Sequence, residues 1–269
     1  MFITFLSTSI INAQASIAPN GNFIDANGAK IYFEDYGKGE PLFLLHGFGR
    51  TLEDWKPYIP EFSKKFRVIA WDMRGHGRST NPDTSKTFLH TTAAKDLVVL
   101  IEHLNLKNVK AIGHSSGGIT ILSAATIAPN LFEAIVPIST QMHFGTEVRE
   151  FIKNNATPEA YYVFNELEQQ HGEIKGRIIA RQFYHFHELY GDPSITTAQL
   201  NKISARSLVI HGDNDFVPVS QAWDIYKNIP NAHLWIVPNG WHLPHFGTNT
   251  ADFIRRTLEF LEGDWSKGR

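Results

Sequence analysis

The first feature of the sequence that could carry chemistry is a serine with a glycine two positions away on either side. It is Ser115, in the stretch GHSSG at residues 113–117, which follows an apolar run and precedes a helical pattern. Glycines in this arrangement indicate a backbone that passes itself too closely for side chains. A sharp strand-to-helix turn of this kind exposes the serine hydroxyl at the edge of a sheet, where it can act as a nucleophile.

A serine hydroxyl is a weak nucleophile until a base takes its proton, and that base must itself be oriented. The chain contains 13 histidines, so the candidate base must be chosen by its position in the predicted fold. Catalytic groups in open α/β sheets gather beyond the carboxyl ends of the strands. His242 follows an apolar run at 233–238, while Asp213 and Asp215 follow another at 207–211. These positions supply a candidate base and two candidate acids.

Two kinds of pattern alternate along most of the chain. Runs typical of strands buried on both faces occur at 41–46, 67–72, 109–113, 134–139, 207–211 and 233–238. Helical patterns lie at 51–65, 91–105, 116–128, 219–228 and 249–262. Such alternation predicts a parallel α/β sheet. Near the amino terminus, runs at 23–26 and 30–36 joined by Asn27-Gly28 predict a β-hairpin with a primed turn.

Residues 141–206 interrupt this alternation, because they contain helical patterns without a convincing strand. We interpret them as a helical insertion between two strands of the sheet. The insertion is rich in aromatic residues: Phe144, Tyr161, Tyr162, Phe164, Phe183, Tyr184, Phe186 and Tyr190. These side chains either pack the inserted helices together or form an apolar underside that covers a cleft, and the two interpretations overlap.

Composition places the chain in a broad class. Its 269 residues, with 42% hydrophobic and 19% charged, suit one large globular domain with an insertion. A formal net charge of −2 provides no basic surface for nucleic acid. The absence of cysteine from the sequence excludes disulfides, thiolate catalysis and cysteine-bound metal.

Residues 1–15 have some features of a signal peptide. An apolar run at 2–11 is followed by Ala13-Gln14-Ala15, which has the small-x-small pattern of a cleavage site. The run lacks a preceding Lys or Arg, so a poorly ordered tail is the alternative. It is too short to span a membrane, which takes about 20 apolar residues. We expect a secreted or periplasmic protein if the leader is real, and a cytoplasmic one otherwise.

Four motifs resemble those of the α/β-hydrolase family, and the resemblance covers nearly all of residues 23–263. They are HGFG at 46–49, DMRGHGRS at 72–79, GHSSG at 113–117, and GDNDFVP at 212–218 followed by GWH at 240–242. The resemblance implies a mostly parallel eight-stranded sheet flanked by helices. Residues 23–140 and 207–269 would form this core, and residues 141–206 a helical cap.

The resemblance also implies a role for each motif residue. Ser115 would be the nucleophile, His242 the base and Asp215 the acid. The backbone N–H groups of Phe48 and Ser116 would form the oxyanion hole, which binds the negative oxygen of the reaction intermediate. Such a site works without a metal or an organic cofactor.

Two points keep alternatives open. The family more often has glycine where this chain has Trp241, so His245 remains a second candidate base. Asp213 likewise remains a second candidate acid. The residues that we expect to contact the substrate are Phe48, Phe144, Tyr161, Phe183, Phe186 and Trp241.

An activated serine beside an oxyanion hole suits acyl transfer, so we expect a carboxylesterase-like enzyme acting on small esters or lactones. Members of the family that open epoxides or remove halides use a carboxylate in place of Ser115. One alternative is a carbon–carbon bond hydrolase of oxo-dienoates, in which Arg177 or Arg181 would meet the substrate carboxylate. The other is a ligand receptor that retains the hydrolase scaffold without turnover.

Overall fold

A single eight-stranded sheet crosses the molecule in the computed structural model, which describes residues 20–83, 87–263 and 265. Its strand order is β1-β2-β4-β3-β5-β6-β7-β8. The strands are β1 (Asn20–Ala26), β2 (Ala29–Tyr36), β3 (Glu40–Leu45), β4 (Phe66–Trp71), β5 (Val109–His114), β6 (Phe132–Ile138), β7 (Arg206–Gly212) and β8 (Ala232–Val237). The pairs β1–β2 and β2–β4 are antiparallel, and the other five pairs are parallel.

The predicted hairpin is present between β1 and β2. Asn27 and Gly28 both have positive φ angles, of 45° and 80°, as a type I′ turn requires at its two central residues. Asn27 also donates a side-chain hydrogen bond to Asp96 (2.8 Å), which ties the turn to the helix that covers this side of the sheet.

The central strands are apolar along their whole length because both faces of the sheet are covered. In β3, Phe43 and Leu45 belong to the apolar cluster on one face, while Leu42 and Leu44 belong to the cluster on the other. Burying a side chain of this size contributes roughly 1.5–3 kcal/mol to the free energy of folding. The continuous apolar runs of the sequence therefore correspond to strands that contribute to two cores at once.

Five α-helices flank the sheet: α1 (Ile59–Phe62), α2 (His90–His103), α3 (Ser116–Ile127), α9 (Val219–Asn228) and α10 (Thr250–Glu262). The prediction of a single helix over 51–65 is wrong. The structure has a 3₁₀ turn (Leu52–Trp55) followed by the short α1. Pro57 and Pro60 explain the break, because proline cannot donate the backbone hydrogen bond that a helix interior needs.

Helices α4–α8 lie between β6 and β7, within residues 141–206, which we call the cap. They are α4 (Thr146–Asn155), α5 (Pro158–Phe164), α6 (Leu167–His171), α7 (Glu173–His185) and α8 (Thr197–Leu200). The cap contains one isolated β-bridge, between His143 and Ser194, at the point where it leaves and rejoins the core.

The predicted leader at residues 1–15 lies outside the described residues. Within the described ranges, no helix has the length and apolar character that crossing a membrane requires.

Candidate active site

The turn at Ser115 has the strained geometry that its flanking glycines suggest. Ser115 joins β5 to α3 with φ of 52° and ψ of −117°, and its N–H donates to the carbonyl of Ile138 (2.8 Å). A Cβ atom added to Gly113 would lie 2.5 Å from the carbonyl carbon of Gly117. One added to Gly117 would lie 2.7 Å from the carbonyl oxygen of His46. Glycine is therefore required on both sides of the turn, where strain is typical of functional sites.

A continuous hydrogen-bonded chain runs from this serine into the core. Ser115 Oγ lies 3.0 Å from His242 Nε2, and His242 Nδ1 lies 2.9 and 3.0 Å from the two carboxylate oxygens of Asp215. The Asp215 side chain is fully buried, whereas that of His242 is 24% exposed. Because the carboxylate can only accept, Nδ1–H must donate to it. Nε2 is then left to accept the serine proton.

The surroundings of Asp215 keep its carboxylate ionised. Burial raises its pKa, but the hydrogen bond with His242 and the N–H of Val217 (3.0 Å) outweigh burial and lower the pKa below its usual value. Asp213, the other candidate acid, instead accepts the backbone N–H of Asn239 (2.7 Å). Of the two aspartates, Asp215 is therefore the one that contacts His242.

His245, the alternative base, lies behind the site rather than in it. Its ring stacks on Trp55, with 5.5 Å between centroids, and lies 4.9 Å from the ring of His114. Burial, with the neighbouring His114 and His242, lowers the pKa of His245 well below its usual value. His114 in turn contacts the backbone carbonyl of His242 through Nε2 (2.7 Å), so both histidines support the segment that carries His242.

The unusual Trp241 adopts the backbone conformation that glycine favours. Its φ is 50°, and its N–H donates to the side chain of Asn214 (2.8 Å). A Cβ atom added to Gly212 would collide with the Trp241 backbone, so the two loops touch directly. Glycine adopts this left-handed geometry most easily, which accounts for the glycine that the family more often has here. In this chain Trp241 adopts it, and the residue is 67% exposed.

The HGFG loop (residues 46–49) packs directly against the serine turn. A Cβ atom added to Gly47 would lie 3.5 Å from Ser115 Cβ. Among the described residues, neither the N–H of Phe48 nor that of Ser116 donates a hydrogen bond. Two backbone donors next to a serine nucleophile are what an oxyanion hole requires.

Comparison with known proteins agrees with this geometry. The family model of the α/β-hydrolase fold matches residues 40–189, more than half of the chain. The chain belongs to the α/β-hydrolase fold family. The family and the fold class predicted from the sequence are therefore confirmed.

Relatives and solved structures of the same fold cover almost the whole chain. A 2-hydroxy-6-oxo-6-(2'-aminophenyl)hexa-2,4-dienoic acid hydrolase from Metapseudomonas resinovorans is 27% identical, over 93% of this chain and 94% of its own length. The human serine hydrolase BPHL is 29% identical, over 95% of this chain and 88% of its own. A crystal structure of a serine hydrolase involved in carbazole degradation superposes with a TM-score of 0.74 at 25% identity, covering 91% and 99%.

In this α/β hydrolase the HGFG loop is held from the cap as well as from the core. Tyr161 donates its hydroxyl to the carbonyl of Phe48 (2.9 Å), and His171 Nε2 contacts the carbonyl of Gly49 (3.1 Å). From the core, His76 Nε2 accepts the N–H of Gly49 (3.0 Å). Tyr161 is one of the predicted substrate contacts, whereas the sequence predicts no role for His171. Neither contact has a signature in the spacing of residues.

Four cap residues expected to contact substrate form one aromatic cluster around Phe48. The Phe144 and Phe186 rings stack at 4.9 Å between centroids, and Phe186 also lies 4.9 Å from Phe48. Phe183 lies 5.9 Å from Phe48 and stacks on Tyr161 at 3.9 Å. Phe186 is completely buried and Phe144 is 7% exposed. These four aromatic residues of the cap therefore pack around Phe48 in the loop beside Ser115.

The two arginines considered for a substrate carboxylate are both exposed residues of α7. Arg177 pairs with Glu173 (3.2 Å) and Glu159 (3.3 Å), and Arg181 is exposed. Among the described residues, neither side chain forms a hydrogen bond or ion pair with Ser115 or His242. No group of three or more His, Asp or Glu side chains in the described residues could hold a metal ion.

Proposed function

We propose that this chain is a serine hydrolase that cleaves carboxylic esters or lactones through an acyl-enzyme intermediate. One observation carries the proposal, namely the hydrogen-bonded chain from Ser115 Oγ through His242 to the buried Asp215. Its position beside two unused backbone N–H groups supports the same reaction.

In the first half of the reaction, His242 Nε2 takes the proton of Ser115 as the serine oxygen attacks the substrate carbonyl carbon. The oxyanion that forms accepts hydrogen bonds from the N–H groups of Phe48 and Ser116. Each such donor lowers the barrier by roughly 3–4 kcal/mol. The protonated imidazole is stabilised by Asp215 and then gives its proton to the leaving alcohol.

In the second half, a water molecule attacks the acyl-enzyme carbonyl while His242 accepts a proton from it. The second tetrahedral intermediate uses the same two N–H groups, and its collapse releases the acid and returns the proton to Ser115. For a lactone, the alcohol and the acid are two ends of one product. The cycle balances without an oxidant, a reductant or a metal.

A second candidate is hydrolysis of a carbon–carbon bond in an oxo-dienoate. It is favoured by the relative from Metapseudomonas resinovorans, whose name describes such a dienoic acid substrate. The arginines give it no support, because Arg177 is paired with two glutamates and Arg181 is solvent-exposed. We therefore propose ester or lactone hydrolysis first and keep carbon–carbon bond hydrolysis as the alternative that the assays must decide.

Parallel assays distinguish the candidates. The purified protein is tested on p-nitrophenyl acetate, butyrate and octanoate, on a δ-lactone, and on a 6-phenyl oxo-dienoate, with Ser115→Ala as the control. We expect ester or lactone turnover at ordinary enzymic rates and its loss in the control. If kcat/KM for the dienoate exceeded that for every ester and lactone, carbon–carbon hydrolysis would replace the proposal. If no substrate turned over, the receptor interpretation would be favoured.

A further inference from the structure

A second set of Ser, His and Asp side chains lies directly beside the first. Ser116 Oγ is 2.9 Å from His90 Nε2, and His90 Nδ1 is 3.3 Å from an oxygen of Asp192. All three residues are buried, with 4%, 0% and 5% of their surface exposed. We call these three residues the buried relay.

Asp192 anchors this relay to the start of α2. Its carboxylate accepts the backbone N–H groups of His90 (2.5 Å) and Thr91 (3.0 Å), which begin the helix. Burial raises the pKa of Asp192, but the bonds from His90 and Thr91 more than offset this and lower it. The ionised carboxylate can only accept, so His90 Nδ1–H donates to it and Nε2 accepts the hydroxyl proton of Ser116.

The relay connects three parts of the molecule. Asp192 belongs to the base of the cap, where Ile195 N–H donates to the carbonyl of Met142 (3.0 Å). His90 belongs to α2, and Ser116 is the first residue of α3, against which α2 packs. A displacement of the cap base can therefore reach Ser116 through two hydrogen bonds.

The hydroxyl of Ser116 is badly placed for attack on a substrate. The residue is buried, and His90 is enclosed by the rings of Phe88 and Phe186, each with its centroid 5.3 Å away. Burying an ionised carboxylate costs desolvation energy, so the presence of this relay is not explained by a gain in folding stability alone. What the relay does fix is the position of Ser116, which follows Ser115 at the start of α3 and whose N–H donates no hydrogen bond within the described residues.

We propose that Asp192 and His90 are positioning residues that hold Ser116, so that its backbone N–H points at the substrate oxyanion. The inference rests on the proposed serine hydrolase function. It couples the cap base to the oxyanion hole through Ser116, since Asp192 contacts His90 and His90 contacts Ser116. Catalysis would then depend on how the cap is seated.

The test uses Ser116→Ala, Asp192→Asn and His90→Phe, each of which breaks the relay at a different point. Gln221→Met is the matched control, because Gln221 bonds the cap base at Met142 N–H (3.0 Å) without touching the relay. For each protein, kcat and KM are measured on p-nitrophenyl butyrate. Inhibition is measured with a trifluoromethyl ketone, which forms a tetrahedral oxyanion with the nucleophile, and with the product butyrate. Circular dichroism shows which variants are folded.

We expect each folded relay variant to lose roughly 10–100-fold in kcat with KM within about twofold, somewhat less than removal of an oxyanion donor causes. The affinity of the ketone inhibitor should fall in proportion to kcat/KM, while the inhibition constant of butyrate stays unchanged. Gln221→Met should lower the melting temperature and leave kcat unchanged. Ser116→Ala keeps the backbone N–H and the fold, so it decides the question if His90→Phe does not fold.

The inference fails if Ser116→Ala and the other folded relay variants keep wild-type kcat and ketone affinity. It also fails if Gln221→Met loses as much kcat as they do, since the effect would then be general loosening of the cap. An inert wild-type protein that the ketone does not inhibit would overturn the proposed function, and this inference with it.

Discussion

Two adjacent serines in this α/β hydrolase each contact a histidine that contacts an aspartate, and the two sets differ in exposure. Ser115 lies at a strained turn with a partner histidine whose side chain is 24% exposed. Ser116 begins a helix, and its partner His90 is completely buried. In our proposal the same three residue types therefore supply a reactive hydroxyl in one case and a fixed backbone in the other. What separates them is access to a substrate.

The two aspartates also belong to different parts of the molecule. Asp215 lies in the loop that follows β7, and contacts between this loop and the one that follows β8 bring it next to His242. Asp192 belongs to the cap and is 102 residues from His90. The reactive set is thus built by loops that follow strands of the sheet, whereas the buried relay depends on how the cap docks.

The largest expected effect separates the two serines. Ser115→Ala should lower kcat/KM for a p-nitrophenyl ester by roughly 10⁴–10⁶-fold, because the nucleophile is lost while the protein still folds. Ser116→Ala should lower it by at most about 10²-fold, because the oxyanion N–H remains. Steady-state kinetics on both variants measure the difference. Equal losses would contradict the division of roles.

The next largest effect distinguishes the two candidate bases, His242 and His245. His242→Ala should be nearly as damaging as loss of the serine, while Asp215→Asn should lose roughly 10⁴-fold because the imidazole then adopts the wrong tautomer. His245→Gln should affect folding stability more than kcat, since His245 packs on Trp55 behind the site. Activity that survived His242→Ala but not His245→Gln would reverse the assignment.

A third effect distinguishes packing from substrate selection within the cap. Phe186 is completely buried, so Phe186→Ala should cost about 3–5 kcal/mol of unfolding free energy without changing the preference for acyl chain length. Phe183 is only partly buried beside Phe48, so Phe183→Ala should change that preference, at roughly 1–3 kcal/mol per methylene. Assays on acetate, butyrate and octanoate esters with thermal unfolding measure both. An unchanged preference in Phe183→Ala would remove the cap from substrate selection.

The last effect concerns the dependence of folding stability on pH and leaves catalysis aside. Burial lowers the pKa of His114 to about 3 and that of His171 to about 4. Between these values and the ordinary pKa of about 6.5, the unfolded chain binds protons that the folded one does not. Stability is therefore fully present above about pH 6.5 and falls as the pH drops toward 4, by roughly 1.4 kcal/mol per unit for each such histidine.

Removing one of these histidines tests the argument. His171→Gln can still bond Gly49 and Gly77 but cannot titrate, so its unfolding free energy should fall less steeply between pH 6.5 and 4. Urea unfolding at several pH values gives the slopes. The same slope in the variant and the wild type would show that His171 does not contribute to the pH dependence of the unfolding free energy.

The features that the sequence could predict are those fixed by strand ends. Ser115, Asp215 and His242 each follow an apolar run, and parallel strands bring such positions to one edge of a sheet. The broken helix near Pro57 was missed because the apolar spacing outweighed the prolines. His90 and Asp192 were missed for another reason. They come together only when the cap docks, and no pattern of nearby residues records that contact.

The most direct test of the central claim is to map the site of a fluorophosphonate adduct by mass spectrometry. The reagent reacts with a serine only when a base activates it and an oxyanion hole receives the phosphonyl oxygen. We predict a single adduct on Ser115, which His242→Ala abolishes. An adduct on Ser116, or no adduct on the folded wild-type protein, would contradict this account.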